Sequence, residues 1–124
     1  MKNAINWFEI PVTDFERARK FYSTVLGVQI VEDPNHQEMK FGMIPFDMEN
    51  GGIGGAIVQG EHFNPSMDGA VVYLNGGDNL SEPLSRVEMA GGKVINPKMA
   101  IGENGFIAHF IDTEGNRVAF HSFN

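Results

Sequence analysis

Two landmarks recur at a single offset along this chain. Asp14 and Asp78 each precede a run with helical spacing, Gly27 and Gly91 each follow one, and both pairs lie 64 residues apart. In a chain of 124 residues that leaves room for two copies of one unit, each too small to bury an adequate core alone. Two copies cannot make a solenoid array, so they must pair, and two curved sheets can do so around a shared cleft.

The unit can be read element by element. Phe8, Ile10 and Val12 alternate with Trp7, Glu9 and Pro11, the two-residue period of a strand whose faces are used differently. Thr13 and Asp14 then supply an N-cap signal. Ala18, Phe21, Tyr22, Val25 and Leu26 recur at helical spacing until Gly27. Short alternating runs follow over 28–32, 39–46 and 53–59, separated by loops rich in Pro, Asn, Asp and Gly. The second half repeats the order, with a strand over 70–75, a helix over 80–90, and strands over 93–96, 106–111 and 117–121. Pro83 is compatible with that helix because it falls in the first turn. The fold class is therefore α+β: two βαβββ modules in a single domain, the first about 1–64 and the second about 65–124.

Composition narrows the function. There are no cysteines, so a metal site would have to draw on His, Asp and Glu, and the chain suits a reducing compartment. The formal net charge of −7 repels phosphate backbones and anionic membrane surfaces, which argues against nucleic acid and membrane as partners. No apolar run is long enough to span a bilayer, and the N-terminal residues lack the long apolar stretch expected of a secretory leader. The expected location is the cytoplasm.

Three stretches carry a family resemblance: EIPVTDFERARKFYSTVLG at 9–27, VEMAGGKVI at 87–95 and DTEGNRVAF at 112–120. In this order, and with the repeat, they resemble the vicinal oxygen chelate superfamily of glyoxalase I, extradiol dioxygenases, fosfomycin-resistance enzymes and bleomycin-resistance proteins. The resemblance implies paired modules forming a curved mixed sheet around a cleft, helices on the outer face, and a homodimer. It also implies metal ligands early in the first strand and in the last strand of each module. Those positions are here Trp7, Val71, Ala119 and either Gly55 or Ala56, and none of these side chains offers a donor. The expectation is thus a binding protein for an unidentified small molecule, with no metal and no other cofactor. Two alternatives stand beside it: a glyoxalase-type lyase or isomerase using residues at other positions, and an interaction module with a vestigial cavity.

Strand alternation places Glu9 beside Trp7, Tyr73 and Asn75 beside Val71, and His121 beside Ala119. Trp7, Glu9, Tyr73, Asn75 and His121 are therefore the expected ligand-binding residues. Glu9, His109 and His121 are the catalytic candidates, on the expectation that Glu9 is partly buried and available for proton transfer. Each has a plainer alternative: Glu9 can pair with a cation, Trp7 can be core, Tyr73 and Asn75 can be cavity lining, and His109 can bond a carbonyl. An odd number of residues between the last two strands would bring His109 and His121 to one face. Met39, Phe41 and Met43 alternate as an apolar lining or core, while His36 and His62 are loop residues. Lys98 and Glu103 bracket an expected loop, 99–102, at the cavity mouth. The glycines at 51, 52, 54 and 55 precede a strand, so they do not form a dinucleotide fingerprint.

Overall fold

The structure, a computed structural model, describes residues 2–35 and 38–124. His36 lies outside the described residues. The elements run β1 (Trp7–Pro11), α1 (Phe15–Leu26), β2 (Val31–Glu32), β3 (Lys40–Ile44), β4 (Gly54–Gln59), β5 (Val72–Asn75), α2 (Ser81–Leu84), β6 (Lys93–Ala100), β7 (Phe106–Ile111) and β8 (Arg117–Ser122). They form two four-stranded mixed sheets of matching order, β1-β4-β3-β2 and β5-β8-β7-β6. In each, the first strand runs parallel to the last and the remaining pairings are antiparallel. The sheets are not closed into a barrel.

Helix α1 starts where its sequence signal lies. The Asp14 carboxylate accepts from the Arg17 N–H at 3.1 Å, satisfying one of the first-turn donors. It stops at Gly27, whose φ of 67° is left-handed and suits a residue without Cβ. Its buried face, Phe15, Ala18, Phe21, Tyr22 and Val25, joins one core that draws Ile10 and Ile57 from the first sheet and Leu74, Phe110 and Phe120 from the second. That shared core keeps both helices on one side and leaves the opposite face of each sheet open.

The second helix departs from expectation. Only Ser81–Leu84 is α-helical, and 85–91 continue as turns. Asp78 does not cap it: the Asn79 side-chain oxygen accepts from the Ser81 N–H at 2.9 Å. Beyond Leu84 the Arg86 and Val87 N–H groups bond to the carbonyls three residues back, at Pro83 and Leu84, so the chain tightens into turns instead of continuing the α-helical ladder. Strand β6 is longer than expected and reaches Ala100 through two register irregularities, so Lys98 stands in a strand, with its ammonium 4.5 Å from the centre of the Phe106 ring. The expected 99–102 mouth loop is therefore strand end followed by a 3₁₀ turn at Gly102–Asn104.

A buried polar latch ties α1 to the β7–β8 turn. The Tyr22 hydroxyl donates to Asp112 at 2.5 Å, and the other Asp112 oxygen accepts the N–H groups of Glu114 and Asn116. Glu114 reaches back to the start of the helix. It accepts from the N–H groups of Thr13 and Asp14 at 3.0 and 2.8 Å and from Arg17 Nε at 2.7 Å. Burial by itself would raise the Glu114 carboxyl, but the bonds from Arg17, Asp14, Thr113 and Thr13 outweigh it and hold the group at about 2.

Candidate functional site

Register decides what lies on the open faces. In the first sheet Trp7 pairs with Gly54, Glu9 with Ala56 and Met43 with Ala56, so these residues share the face turned away from the core. In the second, Tyr73 and His109 both pair with Ala119, and Asn75 and Ile107 both pair with His121. The β7–β8 turn spans 112–116, an odd number of residues. His109 and His121 therefore lie on one face, with Tyr73 and Asn75.

The same pairing removes an ambiguity left by the sequence. Ala119 stands opposite the residue two beyond Val71, and the residue opposite the one two beyond Trp7 is Ala56, not Gly55. Both alanines are fully buried in the floors of their faces. The four positions that would hold a metal by resemblance are thus Trp7, Ala56, Val71 and Ala119, and this donor set does not fit a divalent cation. Among the described residues, no group of three or more His, Asp or Glu is placed to hold a metal ion elsewhere.

The open face of the first sheet is largely aromatic. Trp7 is half-buried, with its ring parallel to Phe41 at 6.4 Å between centroids and Phe46 meeting it edge-on at 6.3 Å. Phe46 itself lies over Gly54, where a Cβ would come within 2.1 Å of its ring. Glu9 is exposed rather than partly buried, and its carboxylate accepts from Trp7 Nε1 at 3.3 Å. It borders a small pocket of about 250 Å³ between the β1 edge and the second sheet, beside Asn64, Ser66 and Arg117.

The open face of the second sheet is mixed, a polar cluster bordered by apolar side chains. Tyr73 Oη lies 3.0 Å from His109 Nε2, and Arg117 Nε donates to His109 Nδ1 at 3.1 Å. The His109 pKa is lowered by burial and by the adjacent Arg117 cation, which favours the neutral ring. His121 Nε2 meets the Asn104 carbonyl at 2.7 Å, and a carbonyl only accepts, so that nitrogen carries the hydrogen. The Asn75 side-chain oxygen accepts from the Gly77 N–H at 2.8 Å. Tyr73, Asn75 and His121 line a depression of about 630 Å³ with Ile101, Ile107 and Phe123 as apolar walls.

The structure thus gathers Tyr73, Asn75, His109 and His121 on one sheet, and sets Trp7 and Glu9 apart on the other. Sequence reasoning missed Arg117, which orients His109 across the β7–β8 pair. Its signal was available in retrospect: Arg117 shares strand parity with Ala119 and His121. Phe41 and Met43 stand on the first sheet's open face, while Met39 packs over Gly60, and His62 is exposed in a loop.

Similarity to known proteins agrees with this architecture. A sequence profile of the Glyoxalase/Bleomycin resistance protein/Dioxygenase superfamily matches residues 4–120. A glyoxylase-like domain-containing protein of Didymella fabae is 33% identical over 119 residues, covering 90% of this chain and 88% of that one. A hypothetical protein from S. aureus superposes with a TM-score of 0.71 at 22% identity, over 98% of this chain and 95% of its own. A fosfomycin resistance protein of Listeria monocytogenes gives 0.63 at 14% identity, over 100% and 94%. At such identities the two structural likenesses show a common fold. No helix among the described residues is long and apolar enough to cross a membrane.

Proposed function

The chain belongs to the Glyoxalase/Bleomycin resistance protein/Dioxygenase superfamily, and from that premise we propose that it is a metal-independent small-molecule-binding protein working in the cytoplasm. The observation that carries the proposal is the replacement of every family ligand position by a side chain without a donor: Trp7, Ala56, Val71 and Ala119. A fold can persist after the chemistry of its site is lost, and the cavity then remains available for binding. The depression bounded by Tyr73, Asn75 and His121 has the size and mixed lining of a small-molecule site.

A homodimer is part of the proposal. Both sheets keep an open face in the single chain, and the second exposes Tyr73, Met99, Ile101 and Phe123 at 48%, 52%, 37% and 71%. A second copy covering these faces would complete a cleft. Sedimentation across a range of concentrations is expected to show a dimer, and a monomer throughout would remove this element.

Metal independence is tested on protein purified without chelator. Elemental analysis is expected to find no stoichiometric metal, and added Zn²⁺, Mn²⁺, Ni²⁺ or Mg²⁺ is expected to leave the thermal midpoint unchanged, because a ligand that binds only the native state must raise it. A stoichiometric metal, or a midpoint that climbs with metal concentration, would overturn the reading.

A further inference from the structure

We infer that Arg117 and His109 position the Tyr73 hydroxyl as a hydrogen-bond donor, and that this donor selects ligands carrying a carbonyl or carboxylate oxygen on an apolar body. The inference rests on the reading of the Tyr73 depression as the binding site.

The argument follows the hydrogens. Arg117 Nε can only donate, so at 3.1 Å His109 Nδ1 must present its lone pair. A neutral imidazole with a bare Nδ1 carries its hydrogen on Nε2. That N–H faces Tyr73 Oη at 3.0 Å, so the phenol oxygen accepts. The phenolic hydrogen cannot point back at another hydrogen and must turn elsewhere. The reverse assignment, with Tyr73 donating to Nε2, would move the ring hydrogen to Nδ1 and set it against the Arg117 N–H. The imidazolium, with hydrogens on both nitrogens, meets the same clash and adds a second positive charge beside Arg117.

Arg117 is itself held. With the Asn96 amide oriented to satisfy both its neighbours, Arg117 Nη2 donates to the Asn96 oxygen at 3.2 Å. The chain Arg117 to His109 to Tyr73 therefore has one direction, and an O–H whose oxygen already accepts a bond is polarised into a better donor. Among the described residues Tyr73 Oη has no second partner, and the side chain is 48% exposed within the depression. Asn75 adds a donor, since its oxygen already accepts from the Gly77 N–H while its Nδ2 has no partner among the described residues. His121 is held in place by its Nε2–H, which is committed to the Asn104 carbonyl. Ile101, Ile107 and Phe123 set the apolar remainder. Tyr73 is then a specificity-determining residue, and His109 and Arg117 are positioning residues.

Two measurements on the full chain test this. Long-range proton–nitrogen correlation spectra of the histidine rings report the tautomer directly. His109 is expected to show hydrogen on Nε2 in the wild type and a mixture in Arg117→Met. Binding is followed by amide shifts at Ile107 and His121 with two matched probes, acetophenone and ethylbenzene, which share an apolar body and differ in the carbonyl. Tyr73→Phe is expected to weaken acetophenone by about tenfold and to leave ethylbenzene unchanged, the size expected for one lost hydrogen bond to a ligand. Hydrogen on Nδ1 in the wild type, or acetophenone affinity independent of Tyr73, would overturn the inference while leaving the pocket in place. If neither probe shifts those amides, the pocket reading fails and the inference falls with it, even where the Nε2 tautomer is found.

Discussion

The two sheets share strand order and direction, and the register of β1–β4–β3 matches that of β5–β8–β7, yet their open faces carry different chemistry. Around Ala56 stand Glu9 and Met43, with the rings of Trp7, Phe41 and Phe46 nearby. At the equivalent places around Ala119 stand Tyr73 and His109, with Arg117 and His121 beyond. Sheet pairing fixes only which positions meet and which way they face, so duplicated backbones can diverge completely in what those positions carry. The helices diverge as well. Helix α1 buries a continuous face against both sheets, whereas α2 buries Pro83 and hands over to turns.

The largest test of that asymmetry is in the helices. Phe21 is buried and meets both Tyr22 and Phe110, so Phe21→Ala is expected to cost about 3–5 kcal/mol by denaturant unfolding. Half-buried Leu84 in α2 is expected to cost about 1 kcal/mol as Leu84→Ala. Equal losses would mean that both helices carry the same weight.

Next comes the latch, which exists only between α1 and the β7–β8 turn. Glu114→Gln is expected to cost about 2 kcal/mol at neutral pH, since it weakens charge-assisted bonds to the helix start. The sign of its pH dependence follows from a carboxyl held at about 2, below its ordinary value of 4.5. Glu114 contributes stability in full above about 4.5, and that contribution is lost as pH falls toward 2. The gap between wild type and Glu114→Gln, measured by unfolding at a series of pH values, is expected to close over that window. A gap that persisted unchanged at pH 2 would show that the carboxylate charge is irrelevant.

A smaller effect is expected at Gly54, where a methyl group would strike the Phe46 ring. Gly54→Ala should cost about 1 kcal/mol and change the fluorescence of Trp7, the lone tryptophan, as the aromatic face rearranges. The smallest is Tyr73→Phe, expected to stay within about 0.5 kcal/mol of wild type because its hydroxyl is exposed. A large loss there would make the second face a stabilising network rather than a surface arranged for a ligand.

The chain by itself determined the parts that depend on local pattern. Alternation around Ile10 assigned the faces of β1, Asp14 and Gly27 bounded α1, and the single offset between landmarks announced two modules. It also carried the missing donors at Trp7, Val71 and Ala119, since a side chain without a lone pair cannot ligate a metal in any conformation. Tertiary structure decided what depends on residues far apart in sequence. Ala56 rather than Gly55 is the fourth position because of the register between β1 and β4, and α2 is short although its landmarks match those of α1. The tautomer of His109 is set by Arg117, eight residues away on a neighbouring strand, and it in turn fixes the accepting role of Tyr73 Oη, thirty-six residues away. Periodicity tells which side of a strand a residue faces, but hydrogen bonds form between partners, and partners are assigned only when the sheets assemble.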